Sequence, residues 1–296
     1  MSFAVVIPNL HSPLIEQVIM ALERQTAAHL LDAIIVVGQG YTASYNPPPH
    51  LQVVTTPTPV SPGAARNIGA RSAQSKYILF LDADCIPAAT LLEQLWAVHQ
   101  QGYAVIGCGI WLEHTQTRRA YWRACDNVLA FTAALAIQQA GHRHALTSHA
   151  LSIQRTVFRS VGGFLEQEYI GEDLELSHRL RQSGVQLYCL PATYVEHQHQ
   201  RTTAQSVWLH LRSFGRGHVH IIRHYIAPRQ LQIRTMEQMV FLLHAWGWLL
   251  ALRDVSALYL RVNRLWQWWY LAPGLLWGKM GWYWGYAEAV ALGRSE

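Results

Sequence analysis

The chain has 296 residues, of which 51% are hydrophobic and 14% charged, too apolar a balance for a disordered polypeptide and enough length for one domain with a substantial appendage, or two small domains. Its net charge of +5 conceals an asymmetry: residues 1–200 hold 12 Lys and Arg against 14 Asp and Glu, whereas residues 201–296 hold 11 against 4. No uncharged apolar run has the length of a bilayer span, and the basic stretch carries no nucleic-acid-binding motif, so nucleic acid is not expected as a partner.

Phe3 to Pro8 is a short apolar run rich in β-branched residues, as expected of a first strand rather than of a secretory signal, which has a basic flank and a longer apolar region. A helical pattern follows through Leu14, Val18, Leu22 and Gln25, then a second strand over Ala33 to Val37 closed by Gly38-Gln39-Gly40. Leu51 to Thr55 reads as a third strand, Ala64 to Gln74 as a helix, and Tyr77 to Leu81 as a fourth strand ending on Asp82-Ala83-Asp84. Strands alternating with helices predict a parallel, doubly wound α/β sheet with helices on both faces, whose ligands bind beyond the carboxyl ends of the strands. Cys85, Cys108, Cys125 and Cys189 lie far apart without a CxxC pair, which reads as reduced thiols in a cytoplasmic protein.

Three places carry candidate chemistry. Two carboxylates at i and i+2 beyond a buried strand point the same way, so Asp82 and Asp84 suit a hard cation, Mg²⁺ or Mn²⁺, bridging a diphosphate; the same residues also suit a helix cap, and the spacing alone leaves both open. Glu172-Asp173 opens a helix that runs through Leu174, Leu176 and Leu180, after a turn at Gly162-Gly163. A further strand-like run, Val185 to Leu190, leads to Glu196-His197-Gln198-His199, whose imidazoles suit a metal site.

Taken in order, VVIP, IIVV, PGAARNIGA, YILFLDAD, GGF with GED and RLRQSG, and a strand ending in VEH resemble the inverting family 2 glycosyltransferases, which have the GT-A fold. The resemblance covers about residues 3–217. It implies a GT-A type, mainly parallel nucleotide-binding sheet over residues 1–200 and a metal-dependent transfer of sugar from a UDP- or GDP-sugar. By this likeness Pro8, Asn9 and Gln39 frame the nucleotide, Arg66 and Asn67 lie over the donor, and Asp82 faces the nucleoside or sugar. Asp84 ligates Mg²⁺ or Mn²⁺ together with His197, with Asp82 and His199 as further candidates. Asp173 is the general base, Glu172 and His149 stand on the acceptor side, and Arg201 with the Arg212 to Arg216 stretch adds positive charge near the leaving group.

Two departures from the family pattern stand out. Gly38-Gln39 replaces the usual acidic pair that helps bind the base, which leaves uridine specificity open. His149-Ala150 stands where Gly-Asn is frequent, so either the acceptor pocket is reshaped or the loop has drifted. Two rival functions fit less well. A nucleotidyltransferase of similar fold needs a Gly-rich, Lys- or Arg-bearing loop after the first strand, which NLHSPLIEQ is not. A non-catalytic sugar- or lipid-binding module has no need of a base across from a metal.

Beyond about residue 200 the pattern changes to long helices, roughly 203–225, 235–252, 254–270 and 274–292, and nine of the 12 Trp lie here. Between Arg201 and Arg234 there are six Arg, four His and no acid, with Trp208, Phe214 and Ile221-Ile222 interleaved at helical spacing. Residues 201–296 therefore read as a basic, aromatic, membrane-interfacial tail that holds the protein peripherally on the inner face of the membrane, near a lipid-linked or polysaccharide acceptor. A packed helical subdomain, or a homodimer contact through the aromatic helices, uses the same residues differently.

Overall fold

The computed structural model describes residues 2–42, 47–113, 117–226 and 246–292. It contains two compact units, one formed by Met1–Trp111 with Gln138–Gln198 and the other by Leu112–Ile137 with His199–Glu296.

The first unit holds a nine-stranded sheet. Strands β1 (Phe3–Leu10), β2 (Leu31–Gln39), β3 (Leu51–Thr55) and β4 (Tyr77–Leu81) are mutually parallel in the order β3-β2-β1-β4. Helix α1 (Ile15–Glu23) and helix α2 (Pro62–Ser72) provide the crossovers, as the alternation of strands and helices predicts. All five residues of β4 are buried, and so are Phe3 to Ile7 of β1; unbroken apolar strands of this kind are covered on both faces.

The rest of the sheet departs from the mainly parallel expectation. After β5 (Cys85–Pro87), α3 (Leu91–Gln100), β6 (Val105–Ile110) and β7 (Gly141–His142), strand β8 (Ala150–Gln154) runs antiparallel to both β4 and β6. Helices α5 (Arg155–Ser160) and α6 (Glu172–Gln182) lead to the 11-residue β9 (Leu187–His197), which is parallel to β6 and antiparallel to β5 and β7. Because β8 is reversed, its first residue, rather than its last, lies beside the carboxyl end of β4: Ala150 pairs with Leu81, and the Asp82 N–H donates to the His149 carbonyl at 3.0 Å. The reversal thereby brings a loop from the middle of the chain to the end of the parallel half.

In the second unit, α4 (Arg118–Ala130), α7 (Ala204–Ile221) with a π-helical continuation to Ile226, a helix over 246–261, a 3₁₀ helix over Asn263–Leu271 and a final helix Ala272–Leu292 surround their own apolar cluster. Cys125, Val128, Tyr259, Leu265, Trp268 and Leu275 form its centre. The helix expected over 235–252 falls largely outside the described residues, and the one expected over 254–270 is instead a helix that gives way to the 3₁₀ segment. Among the described residues no helix is long and apolar enough to cross a membrane.

Helix α7 and the final helix pack backbone against backbone. A Cβ on Gly285 would lie 1.8 Å from the Arg212 carbonyl oxygen, and one on Gly215 would lie 2.1 Å from that of Trp282. The basic face of α7 is paired within the unit: Arg212 and Arg216 both bind the Glu288 carboxylate, and Val207, Leu211 and Val219 are buried. Gly285→Ala is expected to lower stability by about 3 kcal/mol, as overpacking against backbone does. Gly247, with nothing within 4 Å of a built Cβ, should tolerate Ala without loss; urea unfolding midpoints of the two variants test the contrast.

Candidate active site

The carboxyl ends of β1, β2 and β4 are tied by side chains. Asn9, near the end of β1 and buried, donates from Nδ2 to the Gln39 carbonyl at 2.7 Å and accepts from Ser12 N–H at 3.2 Å. Ser12 Oγ donates to the Ala83 carbonyl at 2.8 Å, which joins the loop after β1 to Asp82-Ala83-Asp84. Gly38 has φ +135°, and a Cβ there would fall 2.0 Å from the Asn9 carbonyl oxygen, so this position accepts only glycine without a backbone shift. Gln39 donates from Nε2 to the Thr56 carbonyl at 3.0 Å, and Pro8 is partly buried.

Ser61 caps α2 by accepting from Ala64 N–H at 3.1 Å, with Pro62 at the first helical position. One turn on, Arg66 and Asn67 both face inward. Arg66 is 3% exposed, and its guanidinium donates from Nη2 to Asp82 Oδ1 at 2.7 Å and from Nη1 to Glu172 Oε1 at 2.8 Å. Burial works against its charge, but the two carboxylates outweigh burial and its pKa is raised. Asn67 fixes a loop: Nδ2 donates to the Phe164 carbonyl at 2.8 Å and Oδ1 accepts from Phe164 N–H at 2.9 Å. A Cβ on Gly163, whose φ is +77°, would meet that Oδ1 at 2.6 Å. The amide expected over the donor is thus engaged with the 163–166 loop.

Helix α6 (Glu172–Gln182) starts after Gly171 at φ +88°. Glu172 is buried on Arg66, and Ser148 Oγ donates to its Oε1 at 3.4 Å. Asp173 accepts from Leu174 N–H at 2.7 Å and from Ser148 N–H at 3.2 Å. Burial, then the Glu172 charge, pushes the Asp173 carboxyl up to about 7, against the pull of Arg66 and these backbone N–H groups. His149 lies inside rather than on an open acceptor surface, at 2% exposure. Burial and then the neighbouring His197 push its imidazole down to about 3, and Thr147 Oγ1 meets its Nδ1 at 2.8 Å.

The Asp84 carboxylate lies 3.4 Å from His197 Nε2. Cys85 and His197 face each other in the antiparallel β5–β9 pair, and the ligand atoms of Asp84, Cys85 and His197 lie within 4.8 Å of one another, close enough to share a cation. Cys85 is a candidate ligand that cysteine spacing could not reveal; the available signal was its place directly after the DAD triplet. His199 and Arg201 belong to the second unit, where His199 Nε2 lies 3.2 Å from Asp126 Oδ2, Arg201 Nε donates to the same oxygen at 2.9 Å, and His210 Nδ1 lies 2.7 Å from Oδ1. Burial opposes ionisation of Asp126, but the His210 hydrogen bond and the surrounding charges hold its carboxyl down to about 2.

Two stability effects follow. Arg66→Met leaves Asp82 and Glu172 without their shared cation and should cost about 3–5 kcal/mol in denaturant unfolding. Asp173 has a raised folded-state pKa, so its contribution is complete below its unfolded value and lost as pH rises through about 7. The Tm advantage of Asp173→Asn over the parent should therefore grow between pH 5 and pH 8; a constant difference would contradict the raised value.

The Glycosyltransferase like family 2 model matches residues 2–215. The Pre-mycofactocin glycosyltransferase of Mycobacterium tuberculosis is 28% identical over 178 residues, 56% of this chain and 36% of the relative. The O-antigen chain rhamnosyltransferase WbaN of Salmonella anatum is 28% identical over 162 residues, 52% of this chain and 51% of the relative. The chain thus matches only about a third to a half of these relatives' length. Among solved structures, S. aureus TarS 1-349 in complex with UDP-GlcNAc is similar with a TM-score of 0.53 at 13% identity, covering 100% of this chain and 92% of that one. GalNAc-T7 with UDP, GalNAc and Mn²⁺ gives 0.52 at 15% identity, covering 73% and 47%. With the family model spanning most of its length and a fold like that of these GT-A glycosyltransferases, the chain belongs to the family 2 glycosyltransferases.

Proposed function

We propose that the protein transfers a sugar from a nucleotide diphosphate donor, of the UDP- or GDP-sugar class, to a hydroxyl of a lipid-linked or polysaccharide acceptor, with inversion at the anomeric carbon. The observation that carries this reading is the buried Arg66, hydrogen-bonded at once to Asp82 of the DAD loop and to Glu172 beside Asp173. A bound UDP-sugar in the TarS complex, and UDP with Mn²⁺ in GalNAc-T7, support the donor class and a divalent cation.

Asp84 and His197 offer a carboxylate oxygen and an imidazole nitrogen, with the Cys85 sulfur close by; of the two hard cations, Mn²⁺ accepts nitrogen and sulfur donors more readily than Mg²⁺, which keeps to oxygen ligands. A cation held by these residues would supply positive charge to the departing diphosphate. Asp173 takes the acceptor's proton as the acceptor oxygen bonds to the anomeric carbon. The bond from that carbon to the diphosphate oxygen breaks, and its electron pair leaves with the nucleoside diphosphate. A single base with no covalent intermediate gives inversion. A carboxyl raised to about 7 matches the task, because near neutral pH about half of it is ionised and that half is appreciably basic.

A panel of nucleotide sugars with Mn²⁺, read by nucleotide diphosphate release and by the anomeric configuration of the product, tests the assignment. Asp173→Asn should lower kcat by about a thousandfold with donor affinity nearly unchanged; undiminished turnover removes Asp173 as the base. In the parent, kcat/KM should fall tenfold per unit as pH drops below about 7. Cys85→Ser should shift the ratio of Mn²⁺- to Mg²⁺-supported rates toward Mg²⁺.

A further inference from the structure

The 3₁₀ helix Asn263–Leu271 of the second unit is two-sided with a period of three. Leu265, Trp268 and Leu271 point inward at 0%, 5% and 0% exposure, whereas Trp266 and Trp269 are 56% and 67% exposed. Side chains at i and i+3 of such a helix share a face. The period holds in exposure even though Trp268, at φ −114° and ψ 33°, departs from helical geometry. Just before it, Leu260 is 72% exposed, and the Trp266 ring rests 5.0 Å from Tyr259. Three large apolar side chains therefore stand out within ten residues, a concentration that marks an interaction surface.

Three tryptophans of the tail direct their indole N–H groups to protein acceptors. Trp268 donates to the Glu113 carbonyl, Trp277 to that of Ala204 and Trp284 to Glu288. Among the described residues the indole N–H groups of Trp266 and Trp269 have no protein acceptor. Arg261 and Arg264 are exposed beside them and likewise have no carboxylate partner among the described residues. The sequence contains no acid from Val255 to Ala287.

We infer that this corner, Leu260 to Trp269, is a docking surface for an anionic lipid bilayer. Trp and Leu enter the interfacial layer, the two free indole N–H groups face lipid carbonyl or phosphate oxygens, and Arg261 and Arg264 meet the phosphates. Charge complementarity selects this occupant: the segment itself supplies Arg261 and Arg264 and no acid, so two copies meeting segment against segment across a two-fold axis would set guanidinium against guanidinium. The basic helix α7, by contrast, has Arg212 and Arg216 closed on Glu288 and its apolar face packed, so the 3₁₀ corner, rather than that helix, provides the lipid face. The inference concerns the second unit alone and does not rest on the transfer chemistry.

The full chain is incubated with vesicles of pure phosphatidylcholine or of phosphatidylcholine with one third phosphatidylglycerol, and binding is read by sedimentation. The parent should bind the anionic vesicles, with Trp emission quenched by brominated lipid. Trp269→Ser, which leaves the buried face intact, should weaken binding by about tenfold. Arg261→Gln with Arg264→Gln should weaken it by about twentyfold, with a loss that shrinks as salt rises. The inference is overturned if the parent ignores anionic vesicles, if Trp269→Ser partitions like the parent, or if the parent is a dimer that Trp269→Ser dissociates. Unchanged urea unfolding midpoints and far-UV circular dichroism of each variant exclude unfolding as the cause of any loss.

Discussion

One buried guanidinium organises the candidate site. Arg66 is almost fully enclosed and bridges Asp82 to Glu172, two carboxylates 90 positions apart in the chain. A buried charge is tolerated only when paired and hydrogen-bonded, so the loop after β4 and the first turn of α6 are each held by the need to keep Arg66 satisfied. Asp173 follows Glu172, and Asp84 follows Asp82 by two positions. The residues proposed to act on opposite sides of the reacting carbon are thus each fixed at one remove, through neighbours that the arginine holds.

Much of this was legible in the sequence, and what was not has a physical cause. The strands β1 to β4 and the crossover helices follow local periodicity, which is a short-range property, so the end of β4 at Asp82 is readable from YILFLDAD. The antiparallel placement of β8 is a long-range pairing that no local pattern encodes, and it decides where His149 and Ser148 lie. His149 was readable as a site residue but not as a buried one, because its burial comes from a neighbouring strand. Cys85 illustrates the same limit: its nearness to His197 is a cross-strand relation between β5 and β9, invisible to a search for cysteine spacing.

The second unit shows how packing redistributes a strong compositional signal. Residues 201–234 are rich in Arg and free of acid, and a helix read in isolation offers its cations to solvent. The partner that claims two of them, Arg212 and Arg216, is Glu288, more than 70 residues on, at the far end of the final helix. Glycines at 215 and 285 let the two helices approach closely enough for that pairing. The tryptophans divide likewise: some anchor the unit's core or bond to nearby oxygens, and only a subset remains at the surface. Composition fixes how many cations and aromatics are available, and packing decides which of them face outward.

The replacement of an acidic pair by Gly38-Gln39 has a backbone origin. At Gly38 the chains of β1 and β2 approach so closely that a Cβ would lie on the Asn9 carbonyl oxygen, and φ is positive. An aspartate or glutamate there would force the two strand ends apart and break the Asn9 to Gln39 hydrogen bond that joins them. The Gln39 amide is in turn held by the Thr56 carbonyl. This end of the site is therefore closed by neutral amides, and any base bound beside it meets hydrogen-bonding groups of the backbone and of Asn9 rather than a carboxylate. The charge at this end of the site is thus set by the approach of two strands, which leaves positions 38 and 39 without a carboxylate.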